Sequence, residues 1–557
     1  MVTENDIRYR GDTTPLINTE EKKESVYSYK SLVRKYPVNL DEDTELDKCL
    51  TIVDIISYGV GSTVGAGVFV SIGIAISGFS GPGTALSFIF SAIACLISAF
   101  CYSEFAARIP LSGSAYTFAY VALGEYAGWF IGWNLTLEYA ISASAVARGW
   151  SGYFSEFFKI FNKATPEWVT GYNLNDYFSI APLSPVIIII CTGILVFGVK
   201  DSARFNLSIT ILNITTILFF IIFGAFYVDI SNLNPFLPYG MNGVFQGCSR
   251  IFFSYVGFDS VTTLSGEVKN PKRDLPVGIV ATLGIATVLY VGVTIVLSGM
   301  IKYLDVSHDS PLSDAFLSLA TNHPHLKWVA FVLVIGTLTS LTASTLCSLL
   351  GQPRIYLQMA KDGLFFQQFA SVNKKTQVPV FGTIFTGAFA SVLAILLNLD
   401  QLTNMISIGT LLAFTVVCAG VVVVRLSDEQ GNEEYRLKSP ILLFVLFVFA
   451  CLFGVSSANS WNWGYQVGFS VPMIAVMVAL SLRRQLTVPT TFKCPLSPVL
   501  PCLGIIVNTY FIMHLDTESF YRVIIWTVVG SIIYFAYGIR NSKLNNRING
   551  GSQKSVN

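Results

Sequence analysis

Apolar stretches of about 20 residues recur along this chain between residues 50 and 540, and they constrain its fold more than any other feature. A helix needs about 20 apolar residues to cross the hydrocarbon core of a bilayer. The sequence therefore predicts an all-α membrane protein with about fourteen transmembrane helices. The predicted spans are 52–76, 82–106, 118–147, 183–199, 203–228, 243–265, 276–300, 327–350, 379–397, 403–424, 439–457, 464–482, 499–515 and 522–539.

The composition indicates that lipid, and not water, surrounds most of the folded chain. Of the 557 residues, 53% are hydrophobic and only 12% are charged, whereas soluble domains carry about 25% charged residues. The 35 Lys and Arg nearly balance the 34 Asp and Glu, which argues against a nucleic-acid partner. The four histidines form no ligand cluster, and we find no phosphate-binding loop or nucleophile motif. We therefore expect no metal, no cofactor and no enzymatic activity.

The loops predict the orientation. Lys and Arg are more than twice as frequent in the loops on the amino-terminal side as in those on the other side. Because cytoplasmic loops carry the excess of basic residues, both termini are expected in the cytoplasm. Residues 1–47 and 541–557 are polar and predict tails, the first of them disordered. None of the ten cysteines falls in a predicted outer loop, so no disulfide is expected.

The first span contains four glycines within nine residues: Gly59, Gly61, Gly65 and Gly67. One interpretation is close helix packing through Gly61 and Gly65, a small-xxx-small pattern. The other is a helix that breaks at mid-membrane. Backbone amides freed there, next to the positive end of the second half-helix, can bind a carboxylate. The donors would be Ala66, Gly67 and Val68.

The sixth span carries a complementary feature, Gly257 beside the intramembrane Asp259. A break at this point would free carbonyl groups that accept from an ammonium group, and Phe258 would close over the ligand as a gate. Plain aromatic packing is the alternative for Phe258. Breaks in spans 1 and 6 are typical of an inverted repeat of five plus five spans. Donors on one break and acceptors on the other suit an amino acid. The predicted acceptors are Phe253, Ser254 and Val256.

Several motifs resemble the cationic amino acid transporters of the amino acid–polyamine–organocation (APC) superfamily. They run in family order: LTIVDIISYGVGSTVGAGVFV (50–70), YSEFAARIPLSGSAYTFAYVALGE (102–125), GWNLTLEYAISASAVARGWSGYF (132–154), GVKDSARFN (198–206), FFSYVGFDSVTTLSGEVKNPKRDLP (252–276) and GQPRIYLQMAKDGLFF (351–366). The resemblance implies a LeuT-type fold. It also implies a ten-span core over residues 48–426, with repeats at about 48–228 and 243–426, followed by four additional spans over 427–540.

The resemblance also implies roles for three side chains. Glu104 matches a glutamate expected to matter for transport, with a loop salt bridge to Arg108 as the equally weighted alternative. Asn213 stands where proton-coupled relatives have a lysine in span 5. Because an amide does not titrate, facilitative transport driven by the membrane potential is implied. Glu138 in span 3 either contacts the cationic tail of the substrate or is a protonated structural residue.

The expected function is transport of amino acids, most of all arginine, lysine and ornithine. The alternatives are a proton-coupled carrier of neutral amino acids and a nutrient receptor with little net transport. In the first tail, Asp12 to Ile17 fits an acidic dileucine sorting signal and Tyr29 to Leu32 a tyrosine-based one. Sorting adaptors are therefore candidate partners, and the destination is the plasma membrane or a lysosomal or vacuolar membrane.

Overall fold

The fold is almost entirely helical, as predicted. The computed structural model describes residues 32–35, 48, 50–65, 67–109, 113–173, 179–197, 203–308, 310–373, 376, 378–426, 433–489 and 491–544. Seven helical stretches in this part of the chain are long and apolar enough to cross a membrane, and four shorter apolar helices accompany them. One of the long stretches, Ile52–Arg108, contains two spans.

Fourteen helical spans follow one another within the described ranges. Spans 1 and 6 are interrupted. The other twelve spans are continuous, and span 14 ends with two further short helical segments. In order, the spans are Ile52–Thr63 with Gly67–Ser71, Ile72–Ala75 and Ile76–Ser80; Thr84–Arg108; Glu125–Ile160; Ser184–Val196; Ala203–Ala225; Gly240–Ile251 with Phe252–Tyr255 and Asp259–Glu267; Pro271–Met300; Leu326–Lys361; Val380–Leu396; Leu399–Leu426; Glu433–Ala458; Trp463–Ser481; Val499–Met513; and Thr517–Ile533 with Tyr534–Gly538 and Ile539–Asn541.

The predicted third span, 118–147, is wrong at both ends. A separate short helix, Ser114–Ala122, precedes it, and span 3 runs from Glu125 to Ile160. The chain turns at Gly124, whose φ of +110° suits glycine. A Cβ at Gly124 would also lie 2.7 Å from the Cα of Val33. The start of span 3 is therefore set by Gly124, which lies inside an apolar stretch of the sequence.

Short elements complete the fold. Tyr172–Asn173 and Ser179–Ile180 form a small antiparallel pair of strands between spans 3 and 4. The helix Pro311–Leu319 lies between spans 7 and 8. Thr51 and Asp54 form a capping box that begins span 1, with Asp54 Oδ2 accepting from the Thr51 amide at 2.9 Å.

Spans 1 and 6 meet at one face of the membrane. The Leu50 amide donates to the Glu267 carbonyl at 3.0 Å, and the Lys269 amide donates to the Leu50 carbonyl at 3.1 Å. We call this side, where span 1 begins, the tail face, and the opposite side the far face. The start of span 1 and the end of span 6 are therefore fixed to each other.

The packing separates an inner core from a lipid-facing shell. The first half of span 1 packs against spans 5 and 7, while span 3 packs against spans 8 and 10. Large apolar side chains on other surfaces are exposed, including Val288 at 73%, Ile474 at 54% and Ile525 at 64%. In water such a surface would be unstable, but in lipid it is the solvated surface.

Candidate functional site

Span 1 is discontinuous where its glycines cluster. Its first helix ends at Thr63, and Val64 leaves the helical region with φ −80° and ψ 89°. Helical structure resumes at Gly67, which is fully enclosed together with Val68. Ala66, one of the three predicted carboxylate donors, lies outside the described residues. The predicted break is confirmed, and Gly67 and Val68 begin the second half.

Span 6 breaks at the predicted glycine. After a 3₁₀ turn at Phe252–Tyr255, Val256 is extended, with φ −62° and ψ 134°. Gly257 follows with φ +122°, and a Cβ there would lie 2.8 Å from the Ser62 carbonyl oxygen of span 1. Glycine is therefore required at this position both for its backbone angle and for the close approach.

The two breaks lie against each other. A Cβ added at Gly67 would come within 2.3 Å of the Cα of Ser254. The Tyr290 hydroxyl of span 7 lies 2.9 Å from the Thr63 carbonyl oxygen and 2.8 Å from the Ser254 carbonyl oxygen. Tyr290 therefore contacts a freed carbonyl of each broken span, a role that no local sequence pattern indicates.

The four clustered glycines of span 1, Gly59, Gly61, Gly65 and Gly67, each face a different helix. A Cβ atom added at any of these four glycines would lie closer to an atom of a neighbouring span than van der Waals contact allows. The nearest atoms are Thr282 Oγ1 of span 7 for Gly59 at 2.3 Å, Thr210 Oγ1 of span 5 for Gly61 at 2.5 Å, Ser344 Oγ of span 8 for Gly65 at 2.5 Å, and Ser254 Cα of span 6 for Gly67. The cluster thus provides close packing as well as a break.

The predicted acceptor carbonyls are partly engaged. The Phe253 carbonyl accepts from the Val256 amide at 3.1 Å, and that of Ser254 accepts from Tyr290. A carbonyl oxygen has two lone pairs and can accept a second hydrogen bond. Phe258 is fully buried, and its ring centroid lies 5.1 Å from that of Phe414 in span 10. The predicted gate residue is thus packed in an aromatic cluster.

Two carboxyl groups share the space beside the span 6 break. Glu138 of span 3 is 1% exposed, and its carboxyl group lies beside Asp259 and Thr410. Asp259 Oδ1 accepts from the Gly257 amide at 3.2 Å. Within the described ranges neither oxygen of Glu138 finds a hydrogen-bond partner of ordinary geometry. A buried carboxylate without a partner is costly, so Glu138 is chemically suited to a cationic ligand.

Hydroxyl groups surround this carboxyl pair. Tyr102 and Tyr139 interact electrostatically with both Glu138 and Asp259. In the part of the chain that the structure describes, these two hydroxyls and that of Thr410 are buried without hydrogen-bond partners. Buried polar groups are normally hydrogen-bonded. The cluster therefore offers several unused donors and acceptors next to two acidic groups.

A cavity lies on the tail-face side of the two breaks. It lies between the first half of span 1, the second half of span 6, and spans 3 and 8, and it is lined by residues that include Leu50, Asp54, Tyr58, Tyr139, Ser260 and Arg354. Tyr139 and Ser260 are the chain neighbours of Glu138 and Asp259. The cavity is thus lined by one chain neighbour of each acidic residue.

Comparison with known proteins places the chain in a family. Residues 50–482 match the amino acid permease family, and residues 492–542 match the C-terminal part of such permeases. The chain belongs to the amino acid permease family. The predicted resemblance to cationic amino acid transporters of the APC superfamily is confirmed, and this permease is a multi-pass membrane transporter of the LeuT-type fold.

Relatives of the permease cover nearly the whole chain. A vacuolar cationic amino acid transporter 4 of Arabidopsis thaliana is 34% identical over 93% of this chain and 97% of its own. The methylthioribose transporter of Bacillus subtilis is 34% identical over 92% of this chain and 99% of its own. The branched-chain amino acid permease BcaP of the same bacterium is 33% identical, over 94% of this chain and all of its own length. The family is thus clear, while the named substrates differ.

Asn213 of the permease lies at the span 1 break. Its Nδ2 donates to the Val64 carbonyl at 3.1 Å, and the side chain is fully buried. The amide therefore supplies a partner to a carbonyl that the break frees. The resemblance predicts a lysine at this position in proton-coupled relatives, whereas this chain has an amide, which does not titrate.

Glu104 belongs to a different cluster, at the end of span 2 on the tail face. It pairs with Arg425 of span 10, whose Nε lies 2.9 Å from Glu104 Oε1, and it accepts from the Cys494 amide at 2.8 Å. Both side chains of the pair are buried, at 3% and 6% exposure. The pair joins span 2 to span 10 and to the loop before span 13.

The hydroxyl side chains of span 8 separate into two groups. Thr339 and Thr342 donate to carbonyls of their own helix, at Ile335 and Leu338. By contrast, three others are at least nine-tenths buried and without a hydrogen-bond partner among the described residues: Thr337, Ser340 and Ser344. The latter three share one helix face because they are three and four residues apart, and Ser344 brings that face to Gly65.

Proposed function

We propose that this permease carries cationic amino acids, namely arginine, lysine and ornithine, by facilitative alternating access. The observation that carries the proposal is the contact between Gly67 and Ser254. It brings the start of the second half of span 1, where the proposed amide donors lie, next to the span 6 break, whose carbonyls can each accept a further hydrogen bond. A zwitterionic amino acid supplies the carboxylate and the ammonium that these groups need.

In this proposal the carboxylate binds the amides of Ala66, Gly67 and Val68. The ammonium group binds the carbonyls of Phe253, Ser254 and Val256, and Phe258 acts as the gate. Helix amino termini favour anions because of their unpaired N–H groups and the helix dipole. The arrangement is supported by the LeuT-type fold, in which discontinuous helices form the substrate site.

The cationic preference is proposed from Glu138. Its carboxyl group is buried beside Asp259, and the two acidic groups favour a positive charge next to them. A lysine or arginine tail is a ligand of that kind. The relatives include cationic amino acid transporters, but also permeases named for methylthioribose and for branched-chain amino acids. A proton-coupled carrier of neutral amino acids is the second candidate, supported by the last of these.

Asn213 supports facilitative transport over that second candidate. Proton coupling through span 5 needs a titratable group near the span 1 break, and Asn213 makes its contact there with an amide. Glu104 is proposed to support transport indirectly, through its pairing with Arg425. A nutrient receptor with the same site would bind the amino acid but not exchange it between compartments.

We further propose the arrangement of the permease in its membrane. The tail face is cytoplasmic, residues 48–228 and 243–426 form the inverted repeat, and residues 427–540 form four additional spans. The tails at 1–47 and 541–557, most of which lie outside the described residues, are cytoplasmic. Sorting adaptors read the first tail and direct the permease to the plasma membrane or to a lysosomal or vacuolar membrane.

The test is uptake of radiolabelled arginine, lysine and alanine by purified protein in proteoliposomes. Gly67→Leu should abolish binding and uptake, because even a Cβ at this position meets the Ser254 backbone. Gly78→Leu is the matched control in the same span, since a Cβ at Gly78 has no heavy atom within 4 Å. Normal uptake by Gly67→Leu would refute the carboxylate site, and inhibition by alanine but not by arginine would favour the second candidate.

A further inference from the structure

Arg250 is a charged residue near the end of the first half of span 6. Its Nη1 donates to Asp516 Oδ2 at 3.0 Å, and its Nη2 donates to Asp516 Oδ1. Asp516 directly precedes span 14 and also accepts from the Nδ2 of Asn404 in span 10. The guanidinium carbon lies 4.7 Å above the ring of Phe79, near the end of span 1. We call Arg250, Asp516, Asn404 and Phe79 the Arg250 clamp.

The clamp lies on the far-face side of the break. Span 6 runs from the far face to the tail face, and Arg250 precedes its 3₁₀ turn. The loop between spans 13 and 14, which holds Asp516, is on the far face because span 13 begins on the tail face. A bidentate guanidinium–carboxylate pair is among the strongest polar contacts. The clamp therefore joins four elements across the far-face side of the molecule.

On one side, the first half of span 6 is bound by close small-residue packing. A Cβ at Gly243 would lie 2.4 Å from the Phe79 carbonyl oxygen, and one at Gly247 would lie 1.9 Å from Ser80 Oγ. Ser87 Oγ of span 2 donates to the Val244 carbonyl at 2.8 Å. Contacts this close leave these elements little room to slide past one another, so they are expected to move together. We call this unit the span 1–2–6 body.

On its other side, toward spans 10 and 13, the same half-helix makes different contacts. Phe252 approaches Phe414 and Phe511, each with ring centroids 5.9 Å apart, and Phe245 approaches Tyr510 at 6.2 Å. Ring contacts of this kind have no directional bond to break and can slide. The Arg250–Asp516 pair is the charged contact on this side, and its arginine and aspartate side chains are 14% and 45% exposed. Water can thus replace the pair when the surfaces separate.

We propose that the Arg250 clamp is the latch of the far-face gate, which must open before substrate can enter or leave on that side. This inference rests on the proposed carrier function, since only a carrier needs to open alternately to two faces. With the Arg250 clamp formed, the structure corresponds to a state that is closed toward the far face. Opening moves the span 1–2–6 body away from span 10 and breaks the Arg250–Asp516 pair.

The latch gives the loop between spans 13 and 14 a function. Asp516 lies within the segment 492–542, which matches the C-terminal part of amino acid permeases. Span 14 and span 10 hold Asp516 and Asn404 in place, and the broken span 6 brings Arg250 to them. The additional spans thus provide the fixed side of a gate whose moving side belongs to the ten-span core.

A reversible crosslink tests the latch. Arg250→Cys and Asp516→Cys are combined and joined by a short bifunctional thiol reagent that contains a reducible bond. The control pair is Glu518→Cys with Arg522→Cys, which replaces an exposed ion pair within one helix. The described native cysteines are buried or half-buried, and the parent protein is treated with the reagent in parallel. Arginine uptake is measured before crosslinking, after crosslinking and after reduction.

Crosslinking across the clamp should reduce uptake to background, and reduction should restore it, while the control pair should have no effect. Full crosslinking with unchanged uptake would overturn the latch. Asp516→Asn provides a second readout. It should increase the labelling of a cysteine placed at Ser249 by a membrane-impermeant thiol reagent added at the far face, and equal labelling would also count against the latch. No uptake by the unmodified protein would instead refute the carrier proposal.

Discussion

Glu138 shows which part of the candidate site the sequence can predict and which part it cannot. A charged residue inside a membrane span is usually functional, but the sequence does not reveal which side chains surround Glu138. Asp259, Tyr102 and Thr410 come from three other spans and meet Glu138 only after folding. The sequence therefore identifies the residue, and the packing of four spans provides the acidic, hydroxyl-rich surroundings on which the proposed cationic preference depends.

Glu138→Gln should remove the cationic preference. The amide has nearly the same shape but no charge, so the tail of arginine or lysine loses a charge-assisted hydrogen bond of about 1.5–3 kcal/mol. Arginine affinity is expected to fall about tenfold or more, and alanine affinity should change little. Competition binding in detergent measures both. An equal loss for arginine and alanine would show that Glu138 is structural.

Asp362, which follows span 8 on the tail face, should make stability depend on pH. Burial raises the pKa of this carboxyl group from 3.8 to about 6, although hydrogen bonds from Tyr116 and Gln358 oppose the shift. The folded protein then binds a proton more tightly than the unfolded chain does. The stabilisation that Asp362 contributes is present below about pH 4 and is lost as the pH rises to about 6.

Asp362→Asn should remove this dependence, because the amide can still accept from the Tyr116 hydroxyl and carries no charge at any pH. Thermal unfolding of the detergent-solubilised protein, followed between pH 4 and pH 7, is the measurement. Relative to the variant, the unmodified protein should lose stability as the pH rises across this window. If both proteins show the same pH profile, the assignment to Asp362 is wrong.

At the scale of elements, the breaks are predictable and their surroundings are not. The glycine cluster of span 1 and the glycine beside an intramembrane aspartate in span 6 indicate the two breaks, because a continuous helix in lipid tolerates such features only for a reason. The start of span 3 is missed because Gly124 lies in an apolar window and acts through its backbone angle. Glu104–Arg425 and Arg250–Asp516 are also missed, because residues hundreds of positions apart carry no local signal of their pairing.

Arg425→Ala should strongly destabilise the joint between spans 2 and 10. It leaves Glu104 as a buried carboxylate without its cation, which costs about 3–5 kcal/mol. Arg522→Ala is the control, since the Arg522–Glu518 pair is exposed and lies within one helix. Thermal unfolding in detergent compares the two variants. A small and equal effect of both would mean that the buried pair does not stabilise this joint.

At the scale of the whole molecule, the proposed mechanism needs only the membrane potential. A cation gains about 2.3 kcal/mol per 100 mV on crossing the membrane, which corresponds to roughly 50-fold accumulation. In this proposal the two breaks bind the groups common to all amino acids, and Glu138 favours the charged tail. The proposed far-face latch closes one side of the site, and the cavity lies on the other side. In this mechanism the membrane potential acts on the charge of the substrate, so net transport is directional without a second ion.

Asn213→Lys tests whether the absence of a titratable group in span 5 decides the energetics. The Asn213 amide reaches the Val64 carbonyl at the break, and a lysine amine at this position would carry a positive charge beside the carboxylate donors at low pH and none at high pH. Because that charge alters the binding of the substrate, uptake should become pH-dependent. The measurement is proteoliposome uptake of alanine and arginine at several external pH values with the potential clamped at zero, using Asn213→Gln as the uncharged control. A pH profile identical to that of the control would mean that span 5 does not set the coupling, and the argument for potential-driven transport would then lose its basis in Asn213.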